Sequence, residues 1–275
     1  MLGVDKYLKP AITSRADSLR QDEYSRRAKA RVRHREPEYD YNNFRGLIIL
    51  VQFNDKEFSR ENYTDILEDM VNEEDYKGYD NTNNGRFTGS VRDYFYDNSC
   101  GRFTPQFDIV GPVTVKRSQY YAKGTDNAIQ LVLDAIDAAD DEVDFSLYDG
   151  DDDGVVDLVY FIFAGLGSNV NGNDERLVWP HAGAVYNPNG GYDEWSVVRD
   201  GTLLWRYACS TELYGSNNWS ILDGIGTICH EFSHVLGLPD FYDTNYGDNG
   251  QSNHPDTWSV MSGGSYLNNG RTPVG

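Results

Sequence analysis

The stretch "HEFSHVLGLPD" at residues 230–240 sets two histidines four apart, a glutamate beside the first, a glycine three past the second and an aspartate three further on. In the surrounding "LDGIGTICHEFSHVLG" the apolar residues Ile225, Ile228, Phe232 and Val235 recur at helical spacing, which predicts a helix with one buried face. His230 and His234 fall on roughly the opposite face, one turn apart, so both imidazoles can aim at one ion. A catalytic zinc site takes three protein ligands and leaves the fourth position to water. Gly237 supplies the left-handed residue that ends a helix, and the turn it permits brings Asp240 back as the third ligand. Glu231, between the histidines, is placed to take a proton from that water as general base. Two other carboxylates compete for the ligand position: Asp243 lies beyond the aromatic pair "FY", and Glu212 precedes the motif in a strand-like run.

Upstream, "VVDLVYFIFAG" (155–165) is a continuous apolar run that suits a central strand covered on both faces, and "FRGLIILVQF" (44–53) suits another. "TDNAIQLVLDAIDAAD" (125–140) is apolar around most of its circumference, predicting a helix packed on a sheet. "GSVRDYFYDNSCGRF" predicts a short helix ending near Gly101, and "FTPQFDIVGPVTV" strands broken at Gly-Pro. "EWSVVRDGTLLWRYACS" predicts two strands joined by an Asp-Gly turn. Strands alternating with helices make an α+β domain of α/β-like character, with a mixed sheet and an active-site helix.

The acidic loop "DGDDDGVVD" (149–157) puts Asp149, Asp151, Asp153 and Asp157 at positions one, three, five and nine of an EF-hand-like loop, with Gly154 at six. Val155 at seven would offer its backbone carbonyl, but position twelve is Tyr160 where that loop has a bidentate glutamate, so another carboxylate such as Asp144 would have to complete a calcium shell. The plain alternative is a solvated acidic turn. His181 in "WPHAGAV" is a candidate for the substrate cleft or for donating to the tetrahedral intermediate, although a strand histidine is more often structural.

Bulk properties exclude several classes. The 275-residue chain is 39% hydrophobic and 25% charged, with 20 tyrosines and 5 tryptophans, which is globular composition rather than disorder. A net charge of −20 argues against nucleic acid, whose phosphates need clustered Lys and Arg. Cys100, Cys209 and Cys229 allow at most one disulfide and show no zinc-knuckle spacing. No apolar run is long enough to span a membrane, and "MLGVDKYLKP" has no signal-peptide core. Residues 1–43 carry 10 of the 24 Lys and Arg residues and predict a charged helical linker or the tail of a propeptide, with "SRRAKARVRHR" suited to a trypsin-like activating protease.

Met261 follows Asp240 by 21 residues in the Gly/Ser-rich "DTWSVMSGGSY", and together with the long histidine motif it resembles the Met-turn of metzincins. Tyr266, five residues on, is then a candidate for stabilising the oxyanion. With "FRGLIILVQFND", "GSVRDYFYDNSCGRFTPQFDIVGPV", "DFSLYDGDDDGVVDLVYFIFAG", "HEFSHVLGLPDFYD" and "WSVMSGG", the chain from about Phe44 onward resembles the immune inhibitor A type of secreted bacterial metalloprotease, peptidase family M-six. The resemblance implies a zincin-type catalytic domain over residues 44–275, zinc on His230, His234 and Asp240, Glu231 as the base, protein or peptide substrates and an extracytoplasmic location with a signal peptide lying outside this sequence. It also implies a domain that is C-terminally incomplete, because family members continue past the Met-turn. Two other readings are a calcium-dependent surface binding module with a vestigial protease site, and a non-peptidase hydrolase using the same zinc-activated water.

Overall fold

Alternating burial along the strands organises the whole fold. In the computed structural model, which describes residues 44–79, 86–172, 174–190, 195–244 and 254–275, β1 (Arg45–Phe53) sends Ile48 and Leu50 to one apolar layer and Leu47, Ile49 and Val51 to another. A strand covered on both faces carries no polar alternation, which is why β1 and β3 (Val159–Leu166) read as unbroken apolar runs.

The first layer lies under α1 (Tyr63–Asn72), α2 (Val91–Asn98) and the motif helix α4 (Ile225–Val235); the second lies under α3 (Thr125–Ala139). The sheet runs β2-β1-β3-β7-β4, where β2 is Gln106–Val115, β7 is Arg206–Ser216 and β4 is His181–Ala184. The first three pairings are parallel, β4 is antiparallel at the end of the order, and β8 (Trp219–Leu222) pairs antiparallel with the far half of β7. A mixed sheet with four helices is the α+β arrangement expected.

Several sequence expectations change in detail. Gly-Pro does not split β2: the strand is continuous, and the register against β1 jumps where the cis Gly111–Pro112 bond bulges out. The two strands of "EWSVVRDGTLLWRYACS" are three, because β5 (Val197–Arg199) and β6 (Thr202–Leu204) form a separate hairpin over the Asp200-Gly201 turn before β7 begins. The central strand begins at Val159, since residues 155–158 finish the acidic loop. α2 ends as expected, capped at its start by a reciprocal Ser90–Asp93 pair and closed by Gly101 at positive φ. All three cysteines are free, with Cys209 and Cys229 buried. The linker or propeptide reading of residues 1–43 falls outside the described residues.

Candidate metal centre

Helix α4 is held from below by aromatic packing: the Phe232 ring lies 4.8 to 5.6 Å from those of Phe95, Phe44 and Phe107. Its glycine face makes a closer contact. A Cβ at Gly226 would collide with the Ser265 carbonyl, so the helix start sits directly against the segment carrying Tyr266. The helix is buried on more than one face, with residues Ile225 to Ser233 all inaccessible, so His230 and Glu231 are interior groups rather than a polar surface.

The helix stops as expected. Gly237, at φ 101°, lets its own N–H reach the His234 carbonyl and the Leu238 N–H reach that of Ser233, the double bond of a Schellman end. The chain then reverses, and the Asp240 carboxylate arrives beside both imidazoles: Oδ1 is 3.3 Å from His230 Nε2 and 3.4 Å from His234 Nε2, and the two nitrogens are 3.2 Å apart. The centre of such a triangle is about 1.9 Å from each corner, a spacing that suits zinc's usual ligand distance of about 2.0–2.1 Å.

Hydrogen bonds behind the rings fix which nitrogen faces the centre. His230 Nδ1 is 2.7 Å from the Val260 carbonyl and His234 Nδ1 is 2.8 Å from that of Leu238. A carbonyl can only accept, so each Nδ1 carries a hydrogen and, in the neutral ring that a metal requires, each Nε2 presents its lone pair to the triangle. Val260 precedes Met261, which is buried and whose carbonyl accepts the Phe241 N–H, so one turn braces both the first histidine and the aspartate segment.

The field inside favours positive charge. Burial works against protonating His230, but Glu231 and Asp240 outweigh it and bring its pKa up to about 9. His234 is also raised: burial opposes, and Asp240 and Glu231 prevail. Burial would raise Asp240 as well, yet the two imidazoles hold it well below the usual carboxylate range. Glu231 moves the other way, because its burial is the largest influence and exceeds the pull of the histidines. Asp240 Oδ1 and Glu231 Oε2 are both buried without a hydrogen-bond partner. Two imidazole nitrogens, one carboxylate oxygen and an unsatisfied acceptor fit a divalent zinc ion by donor type, spacing and charge.

The other sequence candidates are distributed as follows. Glu212 is committed elsewhere: its two oxygens accept the N–H groups of Ser59 (2.6 Å) and Gly165 (2.9 Å). His181 does not join the centre. It lies opposite Cys209 in the β4–β7 pairing, on the sheet face away from α4, with Nδ1 2.6 Å from the Trp179 carbonyl and Nε2 2.7 Å from the Tyr207 hydroxyl. Its cleft or oxyanion role is therefore replaced by a buried structural one, and burial lowers its pKa. Tyr266 lies near Glu231 and Asn169, and burial pushes its phenol pKa upward. Asp149, Asp151 and Asp153 converge with ligand oxygens within 4.8 Å of one another. Their loop is held by its own amides, with Asp149 accepting from Asp153 (2.8 Å) and Gly154 (2.7 Å), and Asp157 from Gly150 (2.9 Å). Sequence reasoning missed Tyr242, whose buried hydroxyl faces Asp240 and Glu231. Its one available signal was position, two residues past the aspartate in the same returning segment.

The chain is similar to several known proteins. Immune inhibitor A of Bacillus thuringiensis subsp. alesti is 28% identical over 220 residues, covering 67% of this chain and 30% of that protein. Pre-pro-metalloprotease PrtV of Vibrio cholerae serotype O1 (strain M66-2) is 27% identical over 259 residues, covering 80% of this chain and 27% of the relative. A putative secreted metallopeptidase of Arthroderma benhamiae is 33% identical over 75 residues, 27% of this chain. The chain thus spans less than a third of the length of these relatives. Residues 41–274 match the family described as Immune inhibitor A peptidase M6, catalytic domain, and to that family of peptidases the chain belongs.

Proposed function

We propose that residues 44–275 form a zinc-dependent endopeptidase domain of zincin type, in which His230, His234 and Asp240 hold the metal and Glu231 is the general base. The observation that carries this reading is the triangle of two lone-pair nitrogens and one carboxylate oxygen, all 3.2 to 3.4 Å apart, with Glu231 adjoining it. Zinc, when bound, supplies a Lewis acid that polarises a peptide carbonyl and acidifies water. Glu231 receives the proton at Oε2, the oxygen that lacks a partner. Its burial-raised pKa makes the protonated form accessible, so the proton can be returned to the departing amine. Met261, buried and with its carbonyl accepting the Phe241 N–H, would be the floor of a Met-turn.

An extended substrate would pair with the outer edge of β4, the last strand in the sheet order, where main-chain groups supply the hydrogen bonds. Asp149, Asp151, Asp153, the Val155 carbonyl and Asp157 would hold a structural calcium ion. Export from the cell is supported by the secreted relative and by an acidic loop that calcium-rich surroundings would fill; no helix among the described residues is long and apolar enough to cross a membrane.

The test is zinc content together with casein digestion for the wild type and Glu231→Gln. The variant should retain one zinc per chain and lose hydrolysis by orders of magnitude, because glutamine binds water but cannot take its proton. Near-wild-type turnover in the variant would remove Glu231 from the mechanism. A wild type that binds zinc and cleaves nothing would favour a binding module.

A further inference from the structure

The segment after Met261 returns to the first turn of α4. Asn268, Asn269 and Gly270 stand in succession at positive φ (52°, 57° and 76°), a conformation that side chains disfavour and that persists where the surroundings hold it. Here α4 holds it. The Gly226 N–H donates to the Gly270 carbonyl at 2.8 Å, and a Cβ at Gly224 would collide with that carbonyl and with the Arg271 nitrogen. The same segment begins at Val260, whose carbonyl orients His230.

Asp223 lies inside this contact. Its Oδ1 accepts the Gly224 N–H at 2.8 Å, and a Cβ at Gly270 would sit 3.2 Å from that oxygen. Its Oδ2 is 2.9 Å from the Thr227 hydroxyl, a group that can donate to a carboxylate or accept from a carboxyl. The residue keeps some surface, yet burial is the largest influence on its carboxyl and pushes the pKa up to about 7, against the Thr227 and Gly224 hydrogen bonds and Arg271. The titratable and charged groups around it are Arg271, Tyr266 from the turn after Met261, Tyr214 and Glu212 from β7, Tyr160 from β3 and Tyr63 from α1. Burial pushes all four phenols up, so they stay neutral near pH 7. The Glu212 carboxylate is held by the Ser59 and Gly165 N–H groups, which leaves Arg271 as the cation of the set. A charge on Asp223 is therefore incompletely balanced while the turn is closed over it, and water admitted to the carboxylate would balance it better.

We propose that Asp223 is a positioning residue that works as a proton-operated latch: protonated, it keeps the turn at residues 268–270 closed on α4, and ionised, it lets that turn open and loosens the support of His230. Any effect on hydrolysis rests on the peptidase reading above, whereas the latch itself does not. In the closed state the carboxyl donates from Oδ2 to Thr227 and accepts from Gly224 at Oδ1; on opening, the proton passes to solvent and water solvates the carboxylate. The folded pKa lies above the carboxyl's ordinary 3.8, so the stability contributed by the closed latch is complete below about pH 4 and is lost as the pH rises through about 7.

The experiment follows hydrogen exchange at the Gly226 amide, which the closed turn protects, in the zinc-loaded wild type and Asp223→Asn across neutral pH, corrected for base-catalysed exchange, with kcat/KM on a peptide measured alongside. One released proton shifts an opening equilibrium by up to about tenfold per pH unit, so wild-type protection of Gly226 should fall by about tenfold over the first pH unit above 7, and kcat/KM should fall with it. Asparagine copies the protonated acid, its amide nitrogen donating to Thr227 and its oxygen accepting from Gly224, so the variant should keep level protection and lose that limb of the rate profile. Level protection in the wild type would overturn the latch with no variant needed. So would protection that rises with pH, or an equal fall in Asp223→Asn. If neither protein cleaves peptide while wild-type Gly226 protection falls as stated and the variant's does not, the latch holds and the peptidase reading fails.

Discussion

Each corner of the triangle is aimed by a backbone group that the helix itself does not supply. His230 leans on Val260, His234 on Leu238, and Asp240 is carried in by the reversal at Gly237. Removing Asp240 should leave two imidazoles that still converge but cannot close the triangle. Asp240→Ala is expected to lose most of its zinc affinity, whereas Asp243→Ala should stay loaded, and chelator competition on the two variants checks the contrast. Equal loss in both would reassign the ligand. The convergence of His230, His234 and Asp240 was legible in the sequence because the spacing of these residues and Gly237 is local, and helix geometry plus one glycine turn determines where each side chain goes. The orienting carbonyl of Val260 was not legible, nor was the Tyr242 hydroxyl. Both depend on how the segment after residue 254 folds back under α4, which no local period encodes. His181 misled for the same reason: its strand was recognisable, but which sheet face it takes is set by pairing with β7.

Among the elements, α4 is the one whose placement the chemistry cannot spare. Phe232 points away from the ligands into a nest of Phe44, Phe95, Phe103 and Phe107, and so fixes the helix's depth against α2 and the sheet. The ring is fully buried, so Phe232→Ala should cost about 3–5 kcal/mol of stability by cavity formation, read as a lowered denaturation midpoint. Zinc added to the variant should recover part of the loss, since a ligand bound only by the folded state stabilises it. A midpoint unchanged from wild type would mean the nest is not what seats the helix. The period of the α4 apolar face was visible in the sequence; the burial of its opposite face was not, because that cover comes from the distant Met261 segment. Helix α1 was passed over although Tyr63, Ile66, Leu67, Met70 and Val71 follow helical spacing, its acidic residues having masked the pattern. The hairpin β5–β6 was half seen: the Asp-Gly turn was plain, but the break at Trp205 that separates it from β7 arises where the chain leaves one sheet for another.

At the scale of the whole molecule, the metal centre and the acidic loop are tied to the same sheet. The loop's end, residues 155–158, runs straight into β3, the strand between β1 and β7, and Gly154 and Val156 exchange backbone hydrogen bonds with Leu203 of the β5–β6 hairpin. Asp149, Asp151 and Asp153 therefore lie at a junction of the central strand, the hairpin and the turn after α3. Three carboxylates so close repel one another unless a cation lies among them. The protein's net charge of −20 adds to that repulsion at low ionic strength. Calcium binding to the folded loop alone should raise the melting temperature by mass action, and the rise should grow with calcium concentration. Asp151→Ala combined with Asp153→Ala removes two of the ligands and relieves the repulsion, so this variant should melt at one temperature with calcium or chelator, at fixed zinc. Its melting point in chelator should equal or exceed that of the wild type, because the wild type then retains two more unneutralised carboxylates in the loop. Identical wild-type melting curves in calcium and chelator would leave the loop as a turn held by its own amides. A calcium response that survives in the double variant would place the ion elsewhere on the acidic surface.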